Sequence, residues 1–158
     1  MSKMMADEAP YRIRWATPED DEQLRRAMRV SLARPEGKRP RTSYSDAIAR
    51  GEILVLERSD RRAKQWAIEG FIEWHMRTDD IATIRDLGSA GEEPHLGVCK
   101  ALVREMIRLL SPLSVQVKVR ADQPIWNSIF EELPGFRQEG REFSRPYWRN
   151  IWVWQRRR

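Results

Sequence analysis

The sequence is poor in metal-binding and disulfide-forming residues, and it contains no long apolar run. Cys99 is its only cysteine and it has two histidines, which excludes an intrachain disulfide and disfavours a zinc site. No segment approaches the roughly 20 apolar residues of a membrane-spanning helix. The N-terminal stretch MSKMMADEAP lacks the apolar centre of a secretory signal. We therefore expect a cytoplasmic protein without a membrane partner, in which residues 1–10 form a disordered arm.

Basic residues exceed acidic ones, 29 Lys and Arg against 24 Asp and Glu, so the net charge is +5. The excess is concentrated in GKRPR (37–41), in SRPYWRNIWVWQRRR (144–158) and in the basic tail 157–158 that ends it. These segments are either a solvated surface or a contact for nucleic acid, an acidic protein or an anionic cofactor. The second segment interleaves Trp with Arg, which suits base stacking or a protein interface, including one with a second copy of the chain. The candidate partner-binding residues are Lys38, Arg39, Arg41, Arg145, Trp148 and Arg149.

Hydrophobic periodicity predicts an α+β domain over residues 11–156. Period-two patterns predict strands in 11–16, 52–58, 65–77, 81–87 and 114–120, and two closing strands after residue 135. Helical spacing predicts helices in 17–33, 43–50, 96–110 and 123–133. The order is β-α-α-β-β-β-α-β-α-β-β. It indicates a mixed, mostly antiparallel sheet of six to seven strands flanked by about four helices.

A turn with a single glycine leads into the third predicted helix, in PHLGVCKALVREMIRLL (94–110). Free backbone N–H groups at a helix N-terminus, together with the helix dipole, bind phosphate groups, and glycine allows the phosphate to approach closely. The turn is therefore a candidate phosphate site. However, Glu92 and Glu93 precede it, and their charges repel anions.

This order of elements resembles the GCN5-related N-acetyltransferase (GNAT) family. YRIRWATPEDDEQL is similar to the family's first strand and helix, and VRADQPIWNSIFEELPGF to its fifth strand and fourth helix. LGSAGEEPHLGVCKALV aligns without gaps to the family's cofactor segment, in which a motif of the form R/Q-x-x-G-x-G/A opens a helix. The resemblance implies a GNAT-like fold and the binding of acetyl-CoA or another acyl-CoA.

The resemblance assigns cofactor contacts to three parts of the chain. The N–H groups at the start of the third helix would face the pyrophosphate, the end of the fourth strand would hold the pantetheine arm, and the fourth helix would lie beside the thiol. The implied cofactor-binding residues are Leu87, Ser89, Leu96, Gly97, Val98, Cys99, Lys100, Gln123 and Phe130. A backbone N–H between Leu87 and Ser89 would stabilise the developing oxyanion.

The chain departs from the family pattern at several of these positions. Pro94 stands where the family has Arg or Gln, and Cys99 where it has Gly or Ala. Phe130 stands where many members have the Tyr that protonates the departing thiolate. These departures support an alternative, in which a catalytically decayed transferase fold acts as a binding module for nucleic acid or a protein assembly.

Acyl transfer to an amine needs a base for the ammonium group. Glu73 on the third strand and Asp86 at the end of the fourth are the candidate bases, and a solvated or salt-bridged carboxylate is the structural alternative for each. His75, on the same strand as Glu73, is a further candidate. The sequence therefore predicts an acyl-CoA-dependent N-acyltransferase that uses direct attack by an amine acceptor of unknown identity.

Overall fold

The structure is a computed structural model that describes residues 10–60, 62 and 64–157. Most of the predicted N-terminal arm and Arg158 of the basic tail therefore lie outside the described residues. The strands are β1 Tyr11–Trp15, β2 Ile53–Asp60, β3 Gln65–Met76, β4 Ile81–Ser89, β5 Ser114–Arg120, β6 Phe136–Ser144 and β7 Tyr147–Gln155. The helices are α1 Asp21–Ala27, which follows a 3-10 turn at Pro18–Asp20, α2 Ser45–Ala49, α3 Leu96–Leu110 and α4 Pro124–Glu132. The α+β class and the predicted order of elements are confirmed.

The seven strands form one sheet in the order β1-β2-β3-β4-β5-β7-β6. All neighbours are antiparallel except β4 and β5, which run parallel. These two strands pair only between residues 81–83 and 114–116. Residues 84–89 and 117–120 of the same strands do not pair with each other, so the sheet opens at its centre.

Alternation along β2 separates the two sides of the core. Leu54 and Leu56 belong to the larger buried cluster, which includes side chains of α3 and α4. Ile53 and Val55 belong to the second cluster, with side chains of α1 and α2. Successive strand residues point to opposite faces. The α3–α4 pair therefore covers one face of the sheet and the α1–α2 pair covers part of the other. Within the described part of the chain, no helix is long and apolar enough to cross a membrane.

Helix α1 is shorter than its periodicity predicts, ending at Ala27 instead of continuing to residue 33. The chain leaves the helix because Ser31 forms an isolated antiparallel bridge with Gly88 of β4. The N–H of Leu32 donates to the carbonyl of Leu87 at 2.8 Å. A long-range strand contact thus prevails over local helical spacing.

The period-two pattern of β3 predicts one shared face for Trp66, Ile68, Ile72, Trp74 and Met76, but the structure separates Ile68 from Ile72 and Trp74. Leu56 lies opposite Gly70 while Glu57 lies opposite Ile68, so Glu69 is an extra residue in β3. A β-bulge of this kind reverses the faces on its two sides. Ile68 therefore packs in the α1–α2 cluster and Ile72 and Trp74 in the α3–α4 cluster.

Candidate active site

The structure brings Glu73 and Asp86 together. They are paired residues on the adjacent strands β3 and β4, with 5% and 2% of their surfaces exposed. A second irregularity follows at once, because Trp74 pairs with Ile84 and Arg85 is left as an extra residue in β4. Two carboxylates therefore meet inside the protein where the central opening of the sheet begins.

Arginines from the α1–α2 loop (residues 28–44) compensate these buried charges. The guanidinium of Arg41 forms an ion pair with Glu73 and lies 4.0 Å from Asp86. Arg34 Nη1 donates to Asp86 Oδ2 at 3.4 Å. Burial of an uncompensated carboxylate would cost several kcal/mol, so this loop and the acids depend on each other.

Asp86 has the more perturbed environment of the two acids. Its Oδ1 accepts hydrogen bonds from the backbone N–H groups of Ala33 at 3.0 Å and Leu87 at 2.9 Å. Burial nevertheless raises the pKa of Asp86 above its ordinary value, because desolvation disfavours the charged form more than these donors favour it. A carboxylate with a raised pKa is a better proton acceptor near neutral pH. His75 lies apart, with Nδ1 3.0 Å from Glu52 Oε2.

The first turn of helix α3 carries the predicted phosphate-binding residues. Gly97 is exposed there, and Leu96 is half-buried. His95 is the N-cap, and its Nδ1 accepts a hydrogen bond from the N–H of Val98 at 3.1 Å. The imidazole lies close to Gly97: a Cβ atom added to that glycine would be 3.2 Å from His95 Cε1. The first turn of α3 is therefore exposed at Gly97, whereas the N–H of Val98 is already hydrogen-bonded to His95.

The end of β4, predicted to hold a pantetheine arm, is partly engaged by the chain itself. The Leu87 carbonyl accepts from Leu32, and the Leu87 N–H donates to the side chain of Asp86. The hydroxyl of Ser89 accepts from the N–H of His95 at 2.7 Å and so fixes the turn before α3. The N–H and carbonyl of Leu87, which were predicted to contact a ligand, are therefore already hydrogen-bonded within the chain.

The remaining predicted cofactor residues differ in their accessibility. Lys100 forms an ion pair with Glu132 of α4. Cys99 is fully buried, which raises the pKa of its thiol to about 12 and excludes a thiolate nucleophile near neutral pH. Phe130 is also fully buried, with its ring centroid 5.3 Å from that of Phe136, so it packs in the core and not in a cleft. Gln123 is half-buried and precedes α4 without capping it.

The amide that organises α4 is Asn127, which the sequence reasoning missed. Its Nδ2 donates to the carbonyls of Arg120 and Gln123, at 2.9 and 2.8 Å. Its Oδ1 accepts from Asn150 and from Trp152 Nε1, both at 2.9 Å. An Asn inside a helical pattern has no sequence signal for such a role, because two of its partners, Asn150 and Trp152, lie on the distant strand β7.

The structure divides the predicted partner-binding residues between two faces. The α1–α2 loop, with Lys38, Arg39 and Arg41, forms a cavity of about 980 Å³ with Arg120 and Tyr147. A second cavity, of about 500 Å³, lies where β4 and β5 separate, and Arg149 lines it. On the opposite face of β7, the exposed Trp148 packs edge-on against Phe143, with ring centroids 5.4 Å apart. Arg145 lies exposed in the β6–β7 turn and borders neither cavity.

No family model and no curated protein sequence matches the chain. Solved structures do match it over nearly its whole length. A GNAT-family acetyltransferase from Bacillus cereus is 12% identical, with a TM-score of 0.73, over 94% of this chain and 99% of that one. The ribosomal-protein-S18-alanine N-acetyltransferase of Escherichia coli is 16% identical, with a TM-score of 0.70, over 92% and 94%.

The protein has the GNAT fold. A third similar structure, from Bacillus anthracis and provisionally named a streptothricin acetyltransferase, is in complex with acetyl coenzyme A. It is 13% identical, with a TM-score of 0.68, over 94% of this chain and 99% of that one. Identities this low establish the fold of this GNAT-like chain, whereas its chemistry has to be argued from its own residues.

Proposed function

We propose that the protein is an acyl-CoA-dependent N-acyltransferase in which an amine attacks acetyl-CoA or another acyl-CoA directly. One observation carries the proposal. Strands β4 and β5 separate after three residue pairs, and the buried carboxylate of Asp86 lies on β4 just beyond that point. The opening gives room for an extended ligand, and the carboxylate supplies a base beside it. Similar structures bound to acetyl-CoA or CoA support this interpretation.

The residues of this chain fit an acyl-CoA at the start of helix α3. Gly97 presents a surface without a side chain, and the first N–H groups of the helix have no intrahelical acceptor. Leu96 and Gly97 would hold the pyrophosphate, and Val98 would join them once His95 turns away. The bound cofactor would supply an activated acyl thioester.

The other chemical roles belong to the chain. Asp86 accepts the proton that the attacking ammonium must lose, and its raised pKa suits that task. Arg41 forms an ion pair with Glu73 beside it, and Arg34 orients the Asp86 carboxylate. Phe130 cannot donate a proton, so protonation of the departing thiolate falls to water in this proposal.

A specific observation favours the second candidate function, the binding module. The chain's own atoms engage Val98 N–H, the Leu87 carbonyl and the Lys100 ammonium, which are three of the groups expected to meet the cofactor. A chain that had lost the cofactor would be expected to satisfy these groups internally. Its partner would then be nucleic acid or a protein, including a second copy of the chain. Self-association and a cytoplasmic location stay predictions.

Calorimetric titration with acetyl-CoA and with free CoA tests the proposal and separates the two candidates. Gly97→Glu should abolish binding, because a side chain and a negative charge would enter the phosphate site. Leu109→Glu is the matched control, since it adds the same charge to an exposed position about 18 Å along the same helix. Absence of binding to the folded wild-type protein, or equal binding by Gly97→Glu, would contradict the proposal.

A further inference from the structure

The cavity between β4 and β5 is lined by cations from four strands or their ends. We refer to it as the arginine groove. Among the described residues, its charged lining is entirely basic and comprises Arg77, Arg85, Lys118, Arg120 and Arg149. Like charges around one cavity repel each other, so the arrangement is stable only where acids or a bound anion compensate it.

Acids compensate three of the five cations. Arg77 pairs with Asp79 at 2.9 Å and Lys118 with Glu142 at 3.0 Å. Arg120 pairs with Glu36 at 2.8 Å and with Asp122 at 2.7 Å. The short contacts of Arg120 with these acids raise its pKa further, so it remains charged. None of these pairs involves Arg85 or Arg149.

Arg85 and Arg149 are the unmatched cations of the arginine groove. Neither side chain forms a hydrogen bond or ion pair with any described residue. Arg149 is half-buried, and its Nε is shielded from solvent without a hydrogen-bond partner. A shielded charged donor without an acceptor loses its hydration without compensation, and native proteins avoid it. The missing acceptor is therefore expected to come from outside the chain.

The arginine groove adjoins the candidate base. Ala33 lines both this groove and the cavity of the α1–α2 loop, and its N–H donates to Asp86. Arg85 is the residue before Asp86 and is the extra residue of the β4 bulge. An anion between Arg85 and Arg149 would consequently lie near Asp86, in a cavity that no residue of the first turn of α3 lines.

We infer that the arginine groove binds a phosphate group and that, in the proposed transferase, this phosphate belongs to the amine acceptor. Guanidinium groups form bidentate, charge-assisted hydrogen bonds with phosphate as they do with carboxylate, and the higher negative charge of a phosphate monoester suits two unpaired cations better than a single carboxylate does. The substrate class is then a phosphorylated amine, whether a small phosphate monoester or an amine attached to a nucleic-acid strand. The assignment of the phosphate to the amine acceptor rests on the proposed function, whereas phosphate binding by the arginine groove does not.

Titration with matched probes tests the inference. The small probes are O-phosphoethanolamine and ethanolamine, which differ by one phosphate, and the polymer probe is a ten-nucleotide oligothymidylate. We expect O-phosphoethanolamine or the oligonucleotide to bind, and ethanolamine to bind at least tenfold more weakly. Binding of the small monoester identifies a small acceptor, and binding of the oligonucleotide alone identifies a nucleic-acid strand.

Variants then locate the phosphate. Arg85→Gln with Arg149→Gln should weaken binding at least tenfold, since the two substitutions remove the charge-assisted hydrogen bonds to the phosphate. Arg137→Gln is the control, because Arg137 is exposed on β6 and does not line the groove. If the double variant fails to fold, Arg149→Lys keeps the charge and should still weaken binding severalfold by losing the planar fork.

The outcomes separate this inference from the proposed function. Unchanged acetyl-CoA affinity in the double variant, with loss of phosphate binding, supports two distinct sites. Phosphate binding that survives the double variant but is lost in Gly97→Glu would overturn the inference, since the phosphate would then lie at α3. Absence of any phosphate binding would overturn it as well, while leaving a result with acetyl-CoA intact. If the wild-type protein binds phosphate but not acetyl-CoA, the result contradicts only the proposed function.

Discussion

The ion pair between Arg41 and Glu73 allows a quantitative test of how the α1–α2 loop is held. The Arg41 side chain is 17% exposed and that of Glu73 is 6% exposed. Removal of one partner of a buried pair costs about 3–5 kcal/mol, because the other charge stays buried without compensation. Since water partly reaches Arg41, we expect Arg41→Ala to lower the free energy of unfolding by about 3 kcal/mol. For a chain of this size that corresponds to about 6–12 °C in Tm.

The two partners should differ in the cost of their removal. Arg41 has other contacts, because its Nε donates to the Ser43 carbonyl at 2.9 Å and its guanidinium lies 4.2 Å from the Tyr44 ring centroid. Arg41 is the only partner of Glu73 among the described side chains. Glu73→Gln should therefore cost about 1 kcal/mol, and adding it to Arg41→Ala should recover about half of the lost stability.

Urea unfolding followed by circular dichroism measures all three variants. Arg39→Ala is the control in the same loop, since Arg39 is exposed and pairs with no described residue. It should change stability by less than about 0.5 kcal/mol. A double variant no more stable than Arg41→Ala would refute the reasoning, because the cost would then come from lost packing and not from the uncompensated carboxylate.

Four further predictions concern the carboxylate of Asp86, the contact of Gly70 with helix α3, and the thiol of Cys99. Asp86→Asn should lower the acylation rate by about 10²–10⁴ with little change in Tm, as Asn can accept the same two backbone N–H bonds. Because burial raises the pKa of Asp86, its contribution to stability is present at low pH and is lost as pH rises through that pKa. The free energy of unfolding, measured between acid and neutral pH, should therefore fall with pH in the wild type by an amount that is missing in Asp86→Asn. Gly70→Ala should destabilise the protein by about 1–3 kcal/mol in thermal melts, because the new Cβ would overlap Val98 and lie 3.0 Å from Leu102 Cδ1. Cys99 should resist alkylation by iodoacetamide at pH 8 until urea unfolds the chain, and fast labelling of the folded protein would contradict its burial.

The sequence predicted the fold well where the pattern is local. Period-two and helical spacing located all seven strands and four helices in order, because each element buries one face or one stripe. The errors arose where a distant contact decides the conformation. The bulge at Glu69 and the end of α1 at Ala27 both follow from strand pairing, with β2 and with Gly88 respectively. No periodicity within the segment records such a partner.

In the candidate site, too, the sequence identified individual residues but not the distant contacts between them. The sequence singled out both Glu73 and Asp86, but strand register was needed to show that they face each other and that Arg34 and Arg41 compensate them. Phe130 was placed by counting along a helix, which could not tell that its ring turns into the core. Arg85 and Lys118 were overlooked, because a single basic residue in a strand gives no sign of the cavity it lines.

The two halves of the candidate active site differ in how far they are preorganised. The part proposed for the acceptor is fixed by buried ion pairs. In the part proposed for the cofactor, a ligand would have to replace two hydrogen bonds, from Val98 to His95 and from Leu32 to Leu87. Each bond contributes about 1 kcal/mol, so displacing both weakens cofactor binding by about 2 kcal/mol, or about 30-fold in Kd. A working transferase with these two bonds would therefore bind acetyl-CoA about 30-fold more weakly than one whose helix N-terminus makes no such internal hydrogen bonds. A folded protein that binds neither acetyl-CoA nor CoA would instead favour the binding module.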